Sequence, residues 1–327
     1  MVCKIRIEKV NISLSNLKFL VSPVAESKVL TSMSIIESKG ITTIGKPPWV
    51  LIPHAGQLER IILAIGKGKG KFSESKGITR SIGCIGNNEF ILYREKIGIE
   101  KFKEILKEFY KLTPEGEVFI TNYDSIEEGI ELAEYSANLG LTTYLTVMSE
   151  DYHSIPQERK FKVILEVTLE ELNHQIPDVD VLLLIVPYSQ YNEIKNLDIN
   201  FSGEIWVDIV YPPSARYLSN GNLFEIRRIV NPASITYHPC MAGLVAVSPE
   251  GFVTPCPLLR KFIVGDITKE SLKAILRKQR LKKTWWKLTK DKIPQCKSCT
   301  FRYICHDCRA LEYSATGEIF GTEYCSL

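Results

Sequence analysis

Seven of the nine cysteines in this 327-residue chain lie between Cys240 and Cys325, and the other two, Cys3 and Cys84, stand alone. A cysteine-poor body followed by a cysteine-rich tail indicates a metal-binding C-terminal domain, because thiols in a reducing compartment bind metals more often than they form disulfides. We expect a cytoplasmic protein whose tail binds metal. Cys3 and Cys84 have no cysteine near them in sequence, so we expect neither to be a ligand.

Composition limits the classes of partner. The chain is 45% hydrophobic and 24% charged, enough to bury a large core in two or three domains. Its 41 Lys and Arg residues nearly balance 38 Asp and Glu residues, a charge too even for a protein that wraps nucleic acid. The longest apolar run, residues 179–186, is far shorter than the ~20 residues that span a bilayer. We therefore expect a soluble protein with no nucleic-acid partner and no membrane partner.

The middle of the chain alternates helical and strand patterns, which predicts α/β architecture. Helical spacing covers residues 99–112, 125–139, 168–175 and 188–195, and strand patterns cover residues 117–121, 141–148, 162–167, 179–186 and 204–210. Strands separated by helices form parallel sheets through right-handed crossovers, either open or curled into a barrel. We predict a partial (β/α) barrel.

The predicted organisation has three parts. Residues 1–80, with strand-like runs at 3–10, 41–44 and 61–65, form a small α+β N-terminal cap. Residues 81–235 form the barrel, and residues 236–327 form the cysteine-rich domain.

Two segments of the chain are rich in basic residues, and each predicts a structural element rather than a binding site. Residues 66–71 alternate glycine and lysine but lack the spacing of a phosphate-binding loop, so they predict a flexible basic turn. Residues 269–292 place apolar residues at helical spacing among lysines and arginines, which predicts an amphipathic helix with a solvated cationic face. An acidic peptide partner for that face is the less favoured alternative.

The cysteines fall into two groups. Residues 244–247 and 252–254 predict a hairpin around a turn at 248–251, which brings Cys240 and Cys256 to neighbouring strand ends where they can hold one metal centre. The second group reads Cys296-x2-Cys299-x5-Cys305-x2-Cys308, followed by Cys325. A two-residue gap lets both sulfurs of a loop face one centre, so these pairs strongly predict a metal site.

The spacing leaves two metals open. A zinc site would use Cys296, Cys299, Cys305 and Cys308 and would leave the other three tail cysteines without a role. Two iron-sulfur cubanes account for all seven cysteines, which one zinc site does not. Each cubane takes up to four thiolates and tolerates one open iron.

The tail resembles the SPASM domain, the C-terminal part of many radical S-adenosylmethionine enzymes that modify ribosomal peptides. The matching motifs are Cys240-Met-Ala-Gly243, Pro249-Glu-Gly251, Val253-Thr-Pro-Cys256, Gly265-Asp-Ile267, the residues from Cys296 to Arg309, and Cys325. One difference is that two residues rather than three separate Cys305 and Cys308.

The resemblance implies two 4Fe-4S clusters with separate ligands. Four cysteines would hold what we call the outer cluster: Cys296, Cys299, Cys305 and Cys325. Three would hold the inner cluster: Cys240, Cys256 and Cys308. The fourth inner ligand is unassigned, which leaves one iron open, and we give His238 and His306 no ligand role.

The body resembles the radical-enzyme barrel in the order of its elements but lacks that enzyme's motifs. The Cys-x3-Cys-x2-Cys loop that holds the radical-generating cluster is absent, and Cys84 is the only cysteine where such a loop would sit. Residues 121–124, Thr-Asn-Tyr-Asp, stand where Gly-Gly-Glu-Pro is usual. One thiolate cannot hold a cubane, so we expect no S-adenosylmethionine cofactor and assign no catalytic residue.

The sequence therefore predicts an accessory iron-sulfur protein in peptide or protein maturation. It would bind a peptide substrate or a partner maturase, or transfer electrons, without cleaving S-adenosylmethionine. One alternative is an active peptide-modifying enzyme with a divergent site. A third possible function is that of an interaction module that is stabilised by a structural zinc ion.

Overall fold

The computed structural model describes residues 47–51, 54, 56–70, 79–173, 177–190, 193, 199, 201–212, 233–303, 305 and 308–325. Ten strands lie in this part of the chain: β1 (Arg60–Ala64), β2 (Thr79–Arg80), β3 (Glu117–Thr121), β4 (Thr142–Met148), β5 (Lys162–Thr168), β6 (Val181–Pro187), β7 (Glu204–Tyr211), β8 (Leu244–Val247), β9 (Phe252–Thr254) and β10 (Gly265–Asp266). They form one sheet in the order β10-β9-β8-β1-β3-β4-β5-β6-β7-β2.

The centre of this sheet is parallel. Strands β1, β3, β4, β5, β6 and β7 pair in parallel in that order, and β8 continues the parallel pairing on the other side of β1. Strand β6 is an apolar run, and all of its residues except the last, Pro187, are buried. Such burial is typical of a strand that is covered on both faces. The predicted α/β fold with a parallel sheet is confirmed, and a partial-barrel body is consistent with it.

Two long helices cover the first half of the sheet. Helix α1 (Ile99–Leu112) buries residues at spacings of three and four. Helix α2 (Ile126–Asn138) comes after β3 and also buries residues at these spacings. Shorter helices follow at α3 (Ala233–Thr236), α4 (Leu272–Arg277) and α5 (Arg309–Thr316). The predicted helices at 99–112 and 125–139 are confirmed. No helix in the described residues is both long and apolar enough to cross a membrane.

Strand β1 lies at the centre of the sheet, although the sequence placed residues 61–65 in the N-terminal cap. It is hydrogen-bonded to β3 on one side and to β8 on the other, and all five of its residues are buried. The barrel sheet therefore begins before residue 80. The other runs predicted for the cap, residues 3–10 and 41–44, lie outside the described residues.

The prediction of two crossover helices is wrong for the part of these segments that the structure describes. Short 3-10 turns at Glu171–Asn173 and Tyr188–Gln190 stand where helices were predicted at 168–175 and 188–195. Residues 174–176 and most of 191–198 lie outside the description. Tertiary pairing of β5, β6 and β7 decides the path here, because the local helical pattern is too short to specify it.

The predicted amphipathic helix at 269–292 is also wrong as a single element. The segment contains α4, a π-helical turn at Leu281–Trp286 and a 3-10 turn at Lys290–Lys292. Gln279 has φ +59, a left-handed conformation that ends the helix. The break lets the buried Trp286 ring donate its Nε1 hydrogen bond to the Leu244 carbonyl at 2.9 Å, which ties the segment to β8.

Candidate metal centre

Strands β8 and β9 form the predicted hairpin and carry the first cysteine group. Gly251 closes the turn with φ +84, and its N–H donates to the Ser248 carbonyl at 2.8 Å. Cys240 precedes β8 and Cys256 follows β9, so the two cysteines lie at the same end of the antiparallel pair. The hairpin thus brings together two residues that are far apart in sequence.

The segment around Cys240 is fixed by hydrogen bonds to its backbone. The Nδ1 atom of His238 accepts from the N–H groups of Cys240 and Met241, both at 3.1 Å. The Trp49 ring donates to the Cys240 carbonyl at 2.8 Å. His238 therefore positions the cysteine loop through its Nδ1.

Cys256 is buried, and backbone N–H groups are directed at its sulfur. Burial, together with the nearby Cys308, raises the pKa of the Cys256 thiol to about 12, although the backbone N–H groups of Leu258 and Leu259 lower it. Backbone N–H groups directed at sulfur are typical of thiolates that bind clusters, because they stabilise negative charge on the ligand. A bound metal would keep the buried thiolate ionised.

The second cysteine group lies in a series of tight turns. The Cys299 N–H donates to the Cys296 carbonyl at 2.9 Å, and the Cys305 N–H donates to the Phe301 carbonyl at 2.8 Å. Cys308 is the residue that caps the N-terminus of α5. The described part of the loop therefore turns tightly at Cys296–Cys299 and again before Cys305, and a metal site at its four cysteines stays a prediction.

The last cysteine, Cys325, is brought back to this loop by the C-terminal segment. Both carboxylate oxygens of the buried Glu312 accept backbone N–H groups, from Glu323 at 2.6 Å and from Tyr324 at 3.3 Å. A small core of Ile209, Tyr211, Leu311 and Tyr324 has Cys305, Cys308 and Cys325 packed against it. The fold therefore brings the isolated Cys325 to the second cysteine group.

Cys84 also lies at the site, which the sequence did not predict. It is buried, 5% exposed, and belongs to the same core as Cys256, with Cys240 and Cys308 packed against that core. Burial raises the pKa of the Cys84 thiol well above its usual value, and the charges of Cys240, Cys256 and Cys308 raise it further. The one local signal was a cysteine between two glycines, Gly83 and Gly86, next to a strand.

The segment that carries Cys84 is hydrogen-bonded to the strands of the barrel sheet. Residues 80–90, which we call the plug loop, are all buried except Glu89. Its backbone and side chains bind residues of four strands or their ends: Asn122 after β3 at 2.9 Å, Thr146 on β4 at 3.2 Å, Glu166 on β5 at 2.8 Å and Asp208 on β7 at 2.8 Å. Ligands of α/β barrels bind at the carboxyl ends of the strands, and here the chain itself occupies that region.

Arg80 lies at the centre of this polar network. Its side chain is 1% exposed and binds Asp208 at 2.6 Å, Glu166 at 3.0 Å and the Asn87 carbonyl at 2.8 Å. Burial opposes the charged form, but the two carboxylates outweigh it and raise the pKa of Arg80. The guanidinium is therefore charged and paired inside the protein.

The glycine-lysine segment packs against the plug loop. A side chain at Gly68 would place its Cβ 2.1 Å from the Asn88 carbonyl oxygen, so only glycine fits there. The Gly68 N–H donates to Asp124 at 3.0 Å, and Lys69 pairs with Asp151 at 3.0 Å. The described residues 66–70 thus line a protein contact rather than a phosphate site.

Breaking the Arg80 pair is expected to destabilise the fold strongly. Asp208→Ala leaves the buried Arg80 charge without its closest carboxylate and removes the acceptor for the Ser81 hydroxyl and the Ile82 N–H. Loss of one partner of a buried pair costs about 3 to 5 kcal/mol of unfolding free energy. Denaturant unfolding of the two proteins measures the difference.

The control is Glu104→Gln, which removes an exposed ion pair with Lys101. Exposed pairs add little to stability, so this variant should unfold at the same denaturant concentration as the unmodified chain. Equal stability of the Asp208→Ala variant and the control would contradict the role given to the buried pair.

No three His, Cys, Asp or Glu side chains among the described residues converge closely enough to hold a single metal ion. The cysteines therefore share a region without forming a compact site for one ion. A cubane is larger, and its thiolates bind around the outside of the cluster.

Comparison with known proteins identifies the tail. Residues 240–300 match the family model SPASM, described as an iron-sulfur cluster-binding domain, which confirms the resemblance for this segment. No curated protein matches the chain.

Solved structures of similar shape include native anSMEcpe with bound AdoMet, at 12% identity and TM-score 0.47, covering 82% of this chain and 93% of that chain. Streptococcus suis SuiB bound to S-adenosylmethionine has 11% identity and TM-score 0.46, covering 84% of this chain and 76% of that chain. SuiB bound to precursor peptide SuiA has 9% identity and TM-score 0.40, with 84% and 77% covered. Function rests on this chain's own residues, because similarities this low do not bear on it.

Proposed function

We propose that this chain is an accessory iron-sulfur protein of peptide or protein maturation, which binds a peptide substrate or a partner maturase or transfers electrons to it. The observation that carries the proposal is the SPASM match, and it is supported by the packing of Cys240, Cys256 and Cys308 on the large core and of Cys305, Cys308 and Cys325 on the small core. In this proposal the protein is cytoplasmic and binds neither nucleic acid nor membrane.

The division into two clusters is supported by the packing of the cysteines. Cys305 and Cys325 pack on the small core, whereas Cys308 packs both on that core and on the large core that contains Cys256. Cys256 and Cys308 interact electrostatically, as residues of one inner cluster would. Cys296 and Cys299 are assigned to the outer cluster by the resemblance to the SPASM domain.

The proposal excludes cleavage of S-adenosylmethionine by this chain alone. The cofactor would need both a three-cysteine loop and space at the carboxyl ends of the barrel strands. The sequence lacks that loop, and the plug loop binds β4, β5 and β7 from within the barrel. The remaining chemistry for the clusters in this proposal is electron transfer.

Metal analysis of anaerobically purified protein tests this function. Two cubanes would contribute about eight iron and eight sulfide per chain. Brown protein with these contents and little zinc is the expected result. Colourless protein with about one zinc per four cysteines would instead establish the zinc module and contradict the proposal.

A further inference from the structure

The inner cluster lacks one protein ligand in the division given above. Its three cysteines come from three separate places: Cys240 before β8, Cys256 after β9, and Cys308 at the start of α5. A cubane takes four ligands, so one iron would be open to water or to another side chain. The surroundings of the three thiols identify a fourth group.

Cys84 is placed where that group would be. Its thiol lies within electrostatic range of all three inner thiols, and α5, which begins after Cys308, packs beside β2, four residues before Cys84. The thiol is 5% exposed and makes one long contact, at 3.7 Å, with the Ile82 carbonyl. Such a weak bond leaves the sulfur available to a metal.

The turn that carries Cys84 is held in a fixed position. The Ile82 N–H donates to Asp208 at 2.8 Å, and the Asn88 side chain donates to the Gly83 and Gly86 carbonyls at 2.8 and 3.0 Å. A Cβ added at Gly86 would lie 2.3 Å from the Arg80 guanidinium. The two glycines therefore let the turn close over Arg80, and the network holds the thiol in place.

Asp208, another charge that acts on this thiol, is engaged by the plug loop, because its two oxygens accept from Arg80, Ser81 and Ile82. Thiolate is also the ligand that iron-sulfur clusters prefer.

We infer that Cys84 is the fourth ligand of the inner cluster, so that this cluster joins the barrel to the tail. The inference rests on the proposed iron-sulfur function. On binding, the Cys84 thiol loses its proton to solvent and forms one iron-sulfur bond, with no change in oxidation state. Both clusters are then fully ligated, and neither presents an open iron to a substrate.

The test compares Cys84→Ala with the unmodified chain and with Cys3→Ala, which removes the other cysteine outside the tail. An open iron is lost on oxidation, so after brief air exposure Cys84→Ala should lose about one iron of roughly eight and give the EPR signal of a three-iron cluster. Added cyanide should change the EPR spectrum of this reduced variant only. The unmodified chain and Cys3→Ala should show neither effect.

Cys84→Ser keeps the size of the side chain and serves if the Ala variant fails to fold. It should shift the reduction potential of one cluster and leave the other unchanged, because oxygen replaces sulfur at one iron. Serine and alanine variants that both match the unmodified chain would overturn the inference. So would a cyanide response in the unmodified chain. Absence of clusters from the unmodified chain would instead overturn the proposed function.

Discussion

Replacing Cys299 by Ala is expected to remove about four of roughly eight iron atoms per chain, and replacing Cys256 by Ala is expected to remove a different four. Each cysteine belongs to one cluster in the proposed division, and a cubane that loses an anchoring thiolate from the protein is not retained on purification. Iron and sulfide contents measure the loss. EPR of the reduced variants identifies which cluster remains.

The matched control is Lys297→Ala, an exposed residue between two proposed ligands, which should keep the full iron content. The double variant Cys256→Ala/Cys299→Ala should retain almost no iron. If each single variant lost all of its iron, the two sites would not be independent. If the two single variants retained the same cluster, the assignment of ligands to outer and inner clusters would be wrong.

Reconstituted protein with dithionite and S-adenosylmethionine is expected to form no 5′-deoxyadenosine above the control without enzyme. Reductive cleavage needs an iron with an open position beside the site that holds the cofactor, and three thiolates from one loop supply it. This chain has one cysteine in the corresponding segment. Arg80 and Asn87 of the plug loop are hydrogen-bonded to Glu166 on β5 and to the Thr146 carbonyl on β4, near the carboxyl ends of these strands.

An intact radical enzyme assayed in parallel is the positive control for the reagents. Product chromatography with mass detection measures 5′-deoxyadenosine directly. Formation of 5′-deoxyadenosine that disappears in the Cys84→Ala variant would contradict the accessory function. It would then favour the alternative of an active peptide-modifying enzyme with a divergent site.

The sequence predicts those elements whose pattern is local. Helix α1 repeats apolar residues every three or four positions over fourteen residues, and β6 is one apolar run, so each specifies its own conformation. The Cys-x2-Cys pairs are equally local, because a two-residue gap by itself brings two sulfurs to one centre. The spacing alone therefore predicts a metal-binding tail.

The break at Gln279 and the missing crossover helices depend on tertiary contacts instead. Local spacing over 269–292 favours one helix, but burial of Trp286 against β8 is possible only if the helix ends early. Packing that buries an aromatic ring outweighs helix propensity, which differs between ordinary residues by less than about 1 kcal/mol.

The position of Cys84 is the clearest case that only the tertiary structure decides. The sequence separates it from Cys240 by more than one hundred and fifty residues, and its one local signal, the neighbouring Gly83 and Gly86, does not by itself mark it as a ligand. It reaches the tail cysteines because β2 pairs with β7 and β8 pairs with β1, which sets the plug loop and the hairpin against one core. Local spacing encodes ligands that one loop supplies, whereas ligands from separate elements meet only through the order of strands in the sheet.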